Sequence, residues 1–250
     1  MTQSEPYRLT GRIGPAGTLG MIVLQVDETI EQDFRRLFPS AAVALHVSRI
    51  RSGAELTADT IHAMAADLPV AAGLLPPSAE FDVIAYACTS GTSLIGADKV
   101  AELVSGQART RHVTDPLTAA TAAFAALGVK NVSILSPYEP QVAATLVEAF
   151  QARGISVPAA LSFGEANEAA VARIDPDSIF DAALRAGAAS GAEAVFISCT
   201  NLRTLDVIPR LEARLGMPVL SSNQVLAWHM RHLSGAQTAT DSPGRLFDCP

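Results

Sequence analysis

Basic residues are the scarce ones in this sequence. Lys and Arg number 18 against 25 Asp and Glu, which leaves a net charge of −7. Nucleic acid and anionic membrane surfaces are held through a basic face, so neither is expected as a partner. A small anionic substrate stays admissible, because a pocket sets its own local field. No run of about 18 apolar residues occurs, so no membrane span is expected. The opening stretch Met1 to Thr10 is polar and does not read as a signal peptide. Cysteine is rare as well: three residues, Cys88, Cys199 and Cys249, too unevenly placed for a disulfide framework. A reducing cytoplasm is the expected home. Metal and phosphate motifs are lacking. Gly11, Gly14, Gly17 and Gly20 precede the first expected strand, whereas a dinucleotide fingerprint needs its glycines after one, so they read as a loop. His229 and His232 share a helix face but have no neighbouring Cys or acidic motif, so no metal is expected.

Hydrophobic residues are plentiful at 49%, with only 17% charged. A chain of 250 residues with that balance buries a full core, as one large domain or two small ones. Strands are expected at Met21–Val26, Ala42–Ser48, Phe81–Ala87, Arg111–Thr114, Asn131–Ser136, Ile155–Phe163, Ala194–Ser198 and Pro218–Leu220. Helices are expected between them. Asp27 opens one that runs through Phe38, Thr57 to Leu75 ends at Pro76-Pro77, and another spans Gly96 to Val104. Asp115-Pro116 starts an alanine-rich helix, Pro140 one through Gln151, and Asp175 one to Ala189. Leu202 to Leu215 reads as helical, with Pro209 kinking it or beginning its second part. Asn223 to Leu233 is the last. Thr89 to Ser93 reads as a loop. Strict alternation of strand and helix predicts parallel sheets with helices on both faces.

Two strands look like copies of each other. Val83 to Ser90 and Val195 to Asn201 are both apolar runs that end in Cys-Thr. Their cysteines lie 111 positions apart, from 88 to 199. At the same offset Ile22-Val23-Leu24 falls on Ser133-Ile134-Leu135, Asp27 on Tyr138, and Glu28 on Glu139. The fold expected is therefore α/β, as two similar doubly wound parallel-sheet units related by internal duplication. One unit comprises residues 18–115 plus 223–250, the other 116–222. The carboxyl ends of parallel strands are where such sheets bind ligands. Facing units would put both thiols into one cleft.

Two thiols with polar loops and no metal motif fit proton transfer at carbon. Removing a proton beside a carboxylate needs donors on the carboxylate oxygens to hold the enediolate. Thr89, Ser90, Tyr138, Thr200 and Asn201 are the candidate donors. One thiolate takes the proton and the other thiol returns one to the opposite face. The same pair also suits covalent addition to a C=C bond, rotation and release. A helix N-terminus lowers a thiol's pKa, and both cysteines are expected to use one. Plainer readings stand beside these. A lone buried cysteine is usually an inert hydrophobe. Asp27 serves equally as a helix cap, Tyr138 as a turn residue, and Cys249 as an idle thiol.

The chain resembles the aspartate/glutamate racemase superfamily, in the branch of maleate cis–trans isomerases, arylmalonate decarboxylases and ectoine-utilisation proteins. The residues that carry the resemblance are Ala87-Cys88-Thr89-Ser90, Ser136-Pro137-Tyr138, Ser198 to Leu202, Thr204 to Pro209, Pro218 to Ser222, and Gly244 to Asp248. The resemblance implies a two-unit α/β fold and no cofactor. It matches Cys88 and Cys199 to a catalytic pair, and Thr89, Ser90 and Tyr138 to carboxylate-holding donors. Two departures matter. The decarboxylases carry a small residue where this chain has Cys88, which favours an isomerase or racemase over a lyase. The maleate isomerases carry Asn where this chain has Asp27. A carboxylate there repels a dianion and suits a substrate bearing an ammonium or amide. Asp27 is also placed to orient or deprotonate Cys88. The expected function is a cofactor-independent isomerase of a small carboxylic acid. The alternatives are an arylmalonate-type decarboxylase and a non-catalytic small-acid binding module. Homo-oligomerisation is left open.

Overall fold

The computed structural model describes residues 3–53, 55 and 57–249. Met1, Thr2 and Pro250, assigned above to the polar N-terminal stretch and to the end of the first unit, lie outside the described residues. Eight strands alternate with helices in chain order. The first half holds β1 (Gly17–Leu24), α1 (Ile30–Leu37), β2 (Val43–Ile50), α2 (Ala58–Gly73), β3 (Phe81–Ala87), α3 (Thr89–Ile95), α4 (Ala97–Ser105) and β4 (Thr110–Thr114). The second holds α5 (Pro116–Leu127), β5 (Val132–Ser136), α6 (Pro140–Gln151), β6 (Ala160–Ser162), α7 (Glu168–Val171), α8 (Pro176–Gly187), β7 (Ala194–Ile197), α9 (Ile208–Leu215), β8 (Val219–Ser221) and α10 (Ser222–Ser234). A 3₁₀ turn, Arg245–Asp248, follows.

The strands form two parallel four-stranded sheets with the same order, β2-β1-β3-β4 and β6-β5-β7-β8. β1 and β3 are buried along their whole length, as strands covered on both faces must be. Side chains alternate across a strand. Leu19, Met21, Val23, Val83, Ala85 and Ala87 join the core that runs on into the second sheet. Ile22, Leu24, Ile84 and Tyr86 face a separate core beneath α2 and α4.

The helices after β4 and β8 hold the halves together. α10 lies against β1, β3 and β4 of the first sheet. α5 packs along α10 and sends Phe124 into an aromatic cluster with Phe150 of α6 and Phe196 of β7, ring centroids 5.5–5.8 Å apart. Each helix thus follows one sheet and packs against the other.

Several boundaries differ from those expected. β1 begins at Gly17, so Gly17 and Gly20 belong to the strand and not to a loop. Gly20 is small because a Cβ there would lie 2.8 Å from Ile84 Cγ1. Thr89 to Ser93 is helical, capped by Cys88. β6 is only three residues long, because Pro158 has no N–H to extend the ladder. α9 starts at Ile208 with Pro209 in its first turn, and Leu202 to Val207 is not helical. Among the described residues no helix is long and apolar enough to cross a membrane.

Candidate active site

Cys88 sits where β3 ends and α3 begins. It caps that helix, and its Sγ accepts the Gly91 N–H at 3.2 Å. The Ser90 hydroxyl is 3.6 Å from the same sulfur. Gly91 has to be glycine: a Cβ there would lie 2.9 Å from Cys88 Sγ and 2.4 Å from the Tyr86 hydroxyl. Thr92 Oγ1 donates back to the Cys88 carbonyl at 2.9 Å and ties the turn closed.

Cys199 occupies the matching place after β7, with different geometry. No helix begins there. Its φ is +123°, the one positive value among the described non-glycine residues. A conformation of that kind costs roughly 1–3 kcal/mol and persists only where its surroundings impose it. The N-terminus of α10 does so. Ser222 Oγ accepts the Cys199 N–H at 3.0 Å, and Asn223 Nδ2 donates to the Thr200 carbonyl at 2.8 Å. Asn223 is held in turn by Asp33 Oδ2 at 2.8 Å.

Two contacts bring the strand ends together. Ser222 Oγ, which holds Cys199, also bonds Thr89 Oγ1 at 2.8 Å. Thr200 Oγ1 donates to the Ala87 carbonyl at 3.4 Å. The residues flanking Cys88 are therefore tied to Cys199 and its neighbour. Tyr138, just past the end of β5, bonds Ser198 Oγ through its hydroxyl at 3.1 Å. Its carbonyl accepts the Ser162 hydroxyl.

Asp27 takes the part of a cap for α1, with Oδ1 accepting the N–H groups of Thr29 and Ile30, both at 2.9 Å. Its other oxygen is buried without a geometric hydrogen-bond partner; the nearby Thr200 hydroxyl, which donates to the Ala87 carbonyl at 3.4 Å, and the Arg49 guanidinium both favour its ionised form against burial. Its hydrogen bonds go to the start of α1 and not to Cys88, so the structure gives no support to its orienting that thiol. Asn201 departs from its expected role. Its Oδ1 accepts the Glu28 N–H at 2.9 Å, and its Nδ2 donates to Glu168 Oε2 at 2.9 Å and to the Glu168 carbonyl at 3.0 Å. That amide is a brace for the site, with no donor left for a ligand.

Burial dominates the electrostatics. Cys88 is 2% exposed and Cys199 5%. Burial pushes the Cys88 thiol up to about 11, against the opposing pull of Ser90 and the Gly91 N–H. Cys199 is raised well above its usual value, by burial first and then by the nearby Glu168 carboxylate. The expectation that helix N-termini make both thiols acidic is thus corrected. Cys88 has its helix but loses more to desolvation, and Cys199 has none. The Tyr138 hydroxyl is raised by burial and by the charge of Cys199. Asp27 is raised by burial. Glu168 is raised to about 7 by burial and by repulsion from Asp27, with Asn201 opposing.

Sequence reasoning passed over Glu168, Ser222, Asn223 and Asp33. Glu168 was legible from its place: it follows the end of β6, and strand ends are where such sheets put their functional groups. In the sequence Ser222 reads only as the end of a stretch that carries the resemblance, and Asn223 only as opening the last helix.

The arylmalonate decarboxylase family model matches residues 79–247. Arylmalonate decarboxylase of Bordetella bronchiseptica is 38% identical over 134 residues, which is 52% of this chain and about half, 55%, of that protein. Maleate isomerase of Geobacillus stearothermophilus is 24% identical over 243 residues, 92% of this chain and 96% of the other. A solved double variant of arylmalonate decarboxylase in its liganded form superposes with a TM-score of 0.84 at 27% identity, covering 93% of this chain and 99% of that one. These relatives are enzymes, a decarboxylase and an isomerase, and the solved decarboxylase variant shares the fold of this chain. With well over half its length matched by the family model, the chain belongs to the arylmalonate decarboxylase family, on the branch of the aspartate/glutamate racemase superfamily that also holds the maleate isomerases.

Proposed function

We propose that the protein is a cofactor-independent isomerase of a small carboxylic acid, with Cys88 and Cys199 as its reacting groups. The observation that carries this reading is the Ser222 hydroxyl. It joins the Cys199 backbone to the Thr89 side chain, so the thiol-bearing ends of both sheets meet at one point. Two courses use such a pair. In the first, one thiolate removes the proton beside the carboxylate and an enediolate forms. The other thiol then gives its proton to the opposite face, and the stereocentre is inverted. In the second, a thiolate adds to a C=C bond conjugated with the carboxylate, the resulting single bond rotates, and the thiolate leaves. The hydroxyls of Thr89, Ser90 and Tyr138 are the donors for the substrate oxygens, the Thr200 hydroxyl being given to the Ala87 carbonyl.

Both thiols, buried as they are, stay protonated near neutral pH. That state suits the group that gives a proton and not the group that takes one. The N–H groups of Gly91 and Asn201, which favour the thiolates of Cys88 and Cys199, stand ready for whichever thiol ionises. Opening of the site to water relieves the burial that opposes them.

A decarboxylase is the second reading, favoured by the 38% identity to arylmalonate decarboxylase. Loss of CO2 from a malonate needs one proton delivered to one face, and one thiol is enough. The presence of Cys88 favours the isomerase. Incubation with a panel of small acids in D2O, followed by NMR with CO2 release measured in parallel, separates the two. An isomerase exchanges deuterium or interconverts cis and trans acids, and both Cys88→Ala and Cys199→Ala abolish this. Release of CO2 that survives Cys88→Ala and vanishes in Cys199→Ala would establish the lyase instead. No reaction with any acid would leave a binding module.

A further inference from the structure

Residues two apart on a strand share a face, and Tyr86 and Cys88 both belong to the core beneath α2 and α4. Tyr86 is fully buried there, among apolar residues such as Ile22, Ile61 and Ile84. A phenol hydroxyl in such a place needs a partner. Its one hydrogen bond among the described residues goes to Met64 Sδ of α2, at 4.0 Å. A thioether accepts weakly, and a phenylalanine would fill the same space if packing were the whole purpose. The hydroxyl also lies beside the Cys88 sulfur. A Cβ built on Gly91 would come 2.4 Å from Tyr86 Oη and 2.9 Å from Cys88 Sγ, so both atoms converge on the first turn of α3. The sulfur already has the Gly91 N–H at 3.2 Å and the Ser90 hydroxyl at 3.6 Å. In the other sheet, 111 positions on, Ile197 takes the place of Tyr86, so Cys199 has no such neighbour.

We propose that Tyr86 is a positioning residue for Cys88: its hydroxyl turns from Met64 Sδ to Cys88 Sγ as the thiol ionises and becomes the third donor on the thiolate. The turn is a rotation of the hydroxyl proton about the C–O bond. The electrostatics run the same way. The Tyr86 hydroxyl favours the Cys88 thiolate, while the phenol itself is pushed up by burial and then by the charge of Cys88, so it donates and does not ionise in its place. Glu168 opposes the Cys88 thiolate by repulsion, and Cys199 and Tyr138 lie within its field. The role rests on the isomerase reading for its use in turnover, but the thiol is measured without any substrate, and the two therefore fail separately.

The thiol is read first in a protein carrying Cys199→Ala and Cys249→Ala, which leaves Cys88 as its single cysteine. At about pH 8 iodoacetamide alkylates it at a rate set by the small thiolate fraction. Tyr86→Phe keeps the ring, removes the donor and leaves only a thioether without its weak partner, so the variant folds. It is expected to slow alkylation about tenfold, the size of one hydrogen bond to an anion. The midpoint of a pH titration followed by the 13Cβ shift of labelled cysteine is expected to rise by about one unit. Met64→Leu alters the same corner of the core but keeps the hydroxyl, and is expected not to slow alkylation. With all three cysteines in place, Tyr86→Phe is expected to lower the rate at saturating substrate about tenfold, to leave KM unchanged, and to move the rising limb of the pH profile up by about one unit. Alkylation unchanged in Tyr86→Phe, a titration midpoint that does not move, or equal slowing by Met64→Leu would overturn the role. A loss of Tm with the thiol titrating as before would make Tyr86 a packing residue and overturn it equally. If the thiol responds as expected while the wild type neither exchanges deuterium nor interconverts any acid, the positioning role stands and the isomerase reading falls. If the wild type turns over an acid and Tyr86→Phe matches it in rate and pH profile, the isomerase reading stands and the role of Tyr86 falls.

Discussion

Ser222→Ala tests whether the two strand ends depend on one hydroxyl. Ser222 is fully buried, and its Oγ bonds the Cys199 N–H at 3.0 Å and Thr89 Oγ1 at 2.8 Å. The substitution leaves a backbone donor and a side-chain hydroxyl buried without partners, each costing about 1–3 kcal/mol. Relaxation of the strained Cys199 backbone, φ +123°, returns part of this. A net loss of roughly 2–4 kcal/mol follows, and for a chain of this size that lowers Tm by roughly 4–15 °C. Differential scanning calorimetry reads it. Thr89→Val removes one of the two bonds and is expected to cost less. Combined with Ser222→Ala it should cost less than the sum of the two, by about 0.5–1.5 kcal/mol, because the same bond is lost in both. A Tm change under about 2 °C for Ser222→Ala, or strict additivity of the pair, would refute the bridge.

Three further outcomes are expected. Alkylation of Cys88 by iodoacetamide in the absence of substrate should keep accelerating up to about pH 11, following its raised thiol; a plateau reached below about pH 8 would contradict the burial argument. Asp33 and Glu168, both raised to about 7 by burial, ionise in the unfolded chain at lower pH than in the folded one. Their contribution to stability is therefore present below about pH 4, falls between there and about pH 7, and is flat above. Wild type should lose Tm relative to Glu168→Gln across that window, and parallel Tm curves would exclude the shift. Phe124→Ala, which empties one place in the trio with Phe150 and Phe196, should cost about 3–5 kcal/mol in urea unfolding; a loss under about 1 kcal/mol would mean the helix is not anchored there.

The layout of the chain was legible because its signals are local and strong. Apolar runs such as Val83 to Ala87 have only one way to be buried on both faces, and the repeated Cys-Thr endings marked the strand ends. Gly17 and Gly20 misled, because glycine usually breaks a strand and here Gly20 makes room for Ile84. Thr89 to Ser93 misled for a similar reason. Thr, Ser and Gly favour loops in isolation, and the helix forms because Cys88 caps it and its first four residues are buried. The role of Asn201 was not legible. Whether an amide meets a ligand or braces a neighbour depends on Glu168, 33 positions away in the sequence. The thiol pKa values were illegible on the same ground. A helix N-terminus can be read from sequence, but the depth at which a sulfur is buried cannot.

The exchange of α5 and α10 between the sheets bears on how the chain comes to be folded as it is made. β1, β3 and β4 are complete by Thr114, yet the face that α10 covers stays open until residues 222–234 have been synthesised. A nascent chain ending anywhere in between exposes the part of that apolar face which α1 leaves for α10. The first sheet therefore cannot finish as an independent domain while the second is being translated. Over that interval the half-made chain exposes apolar surface, and intermediates of that kind are prone to aggregate.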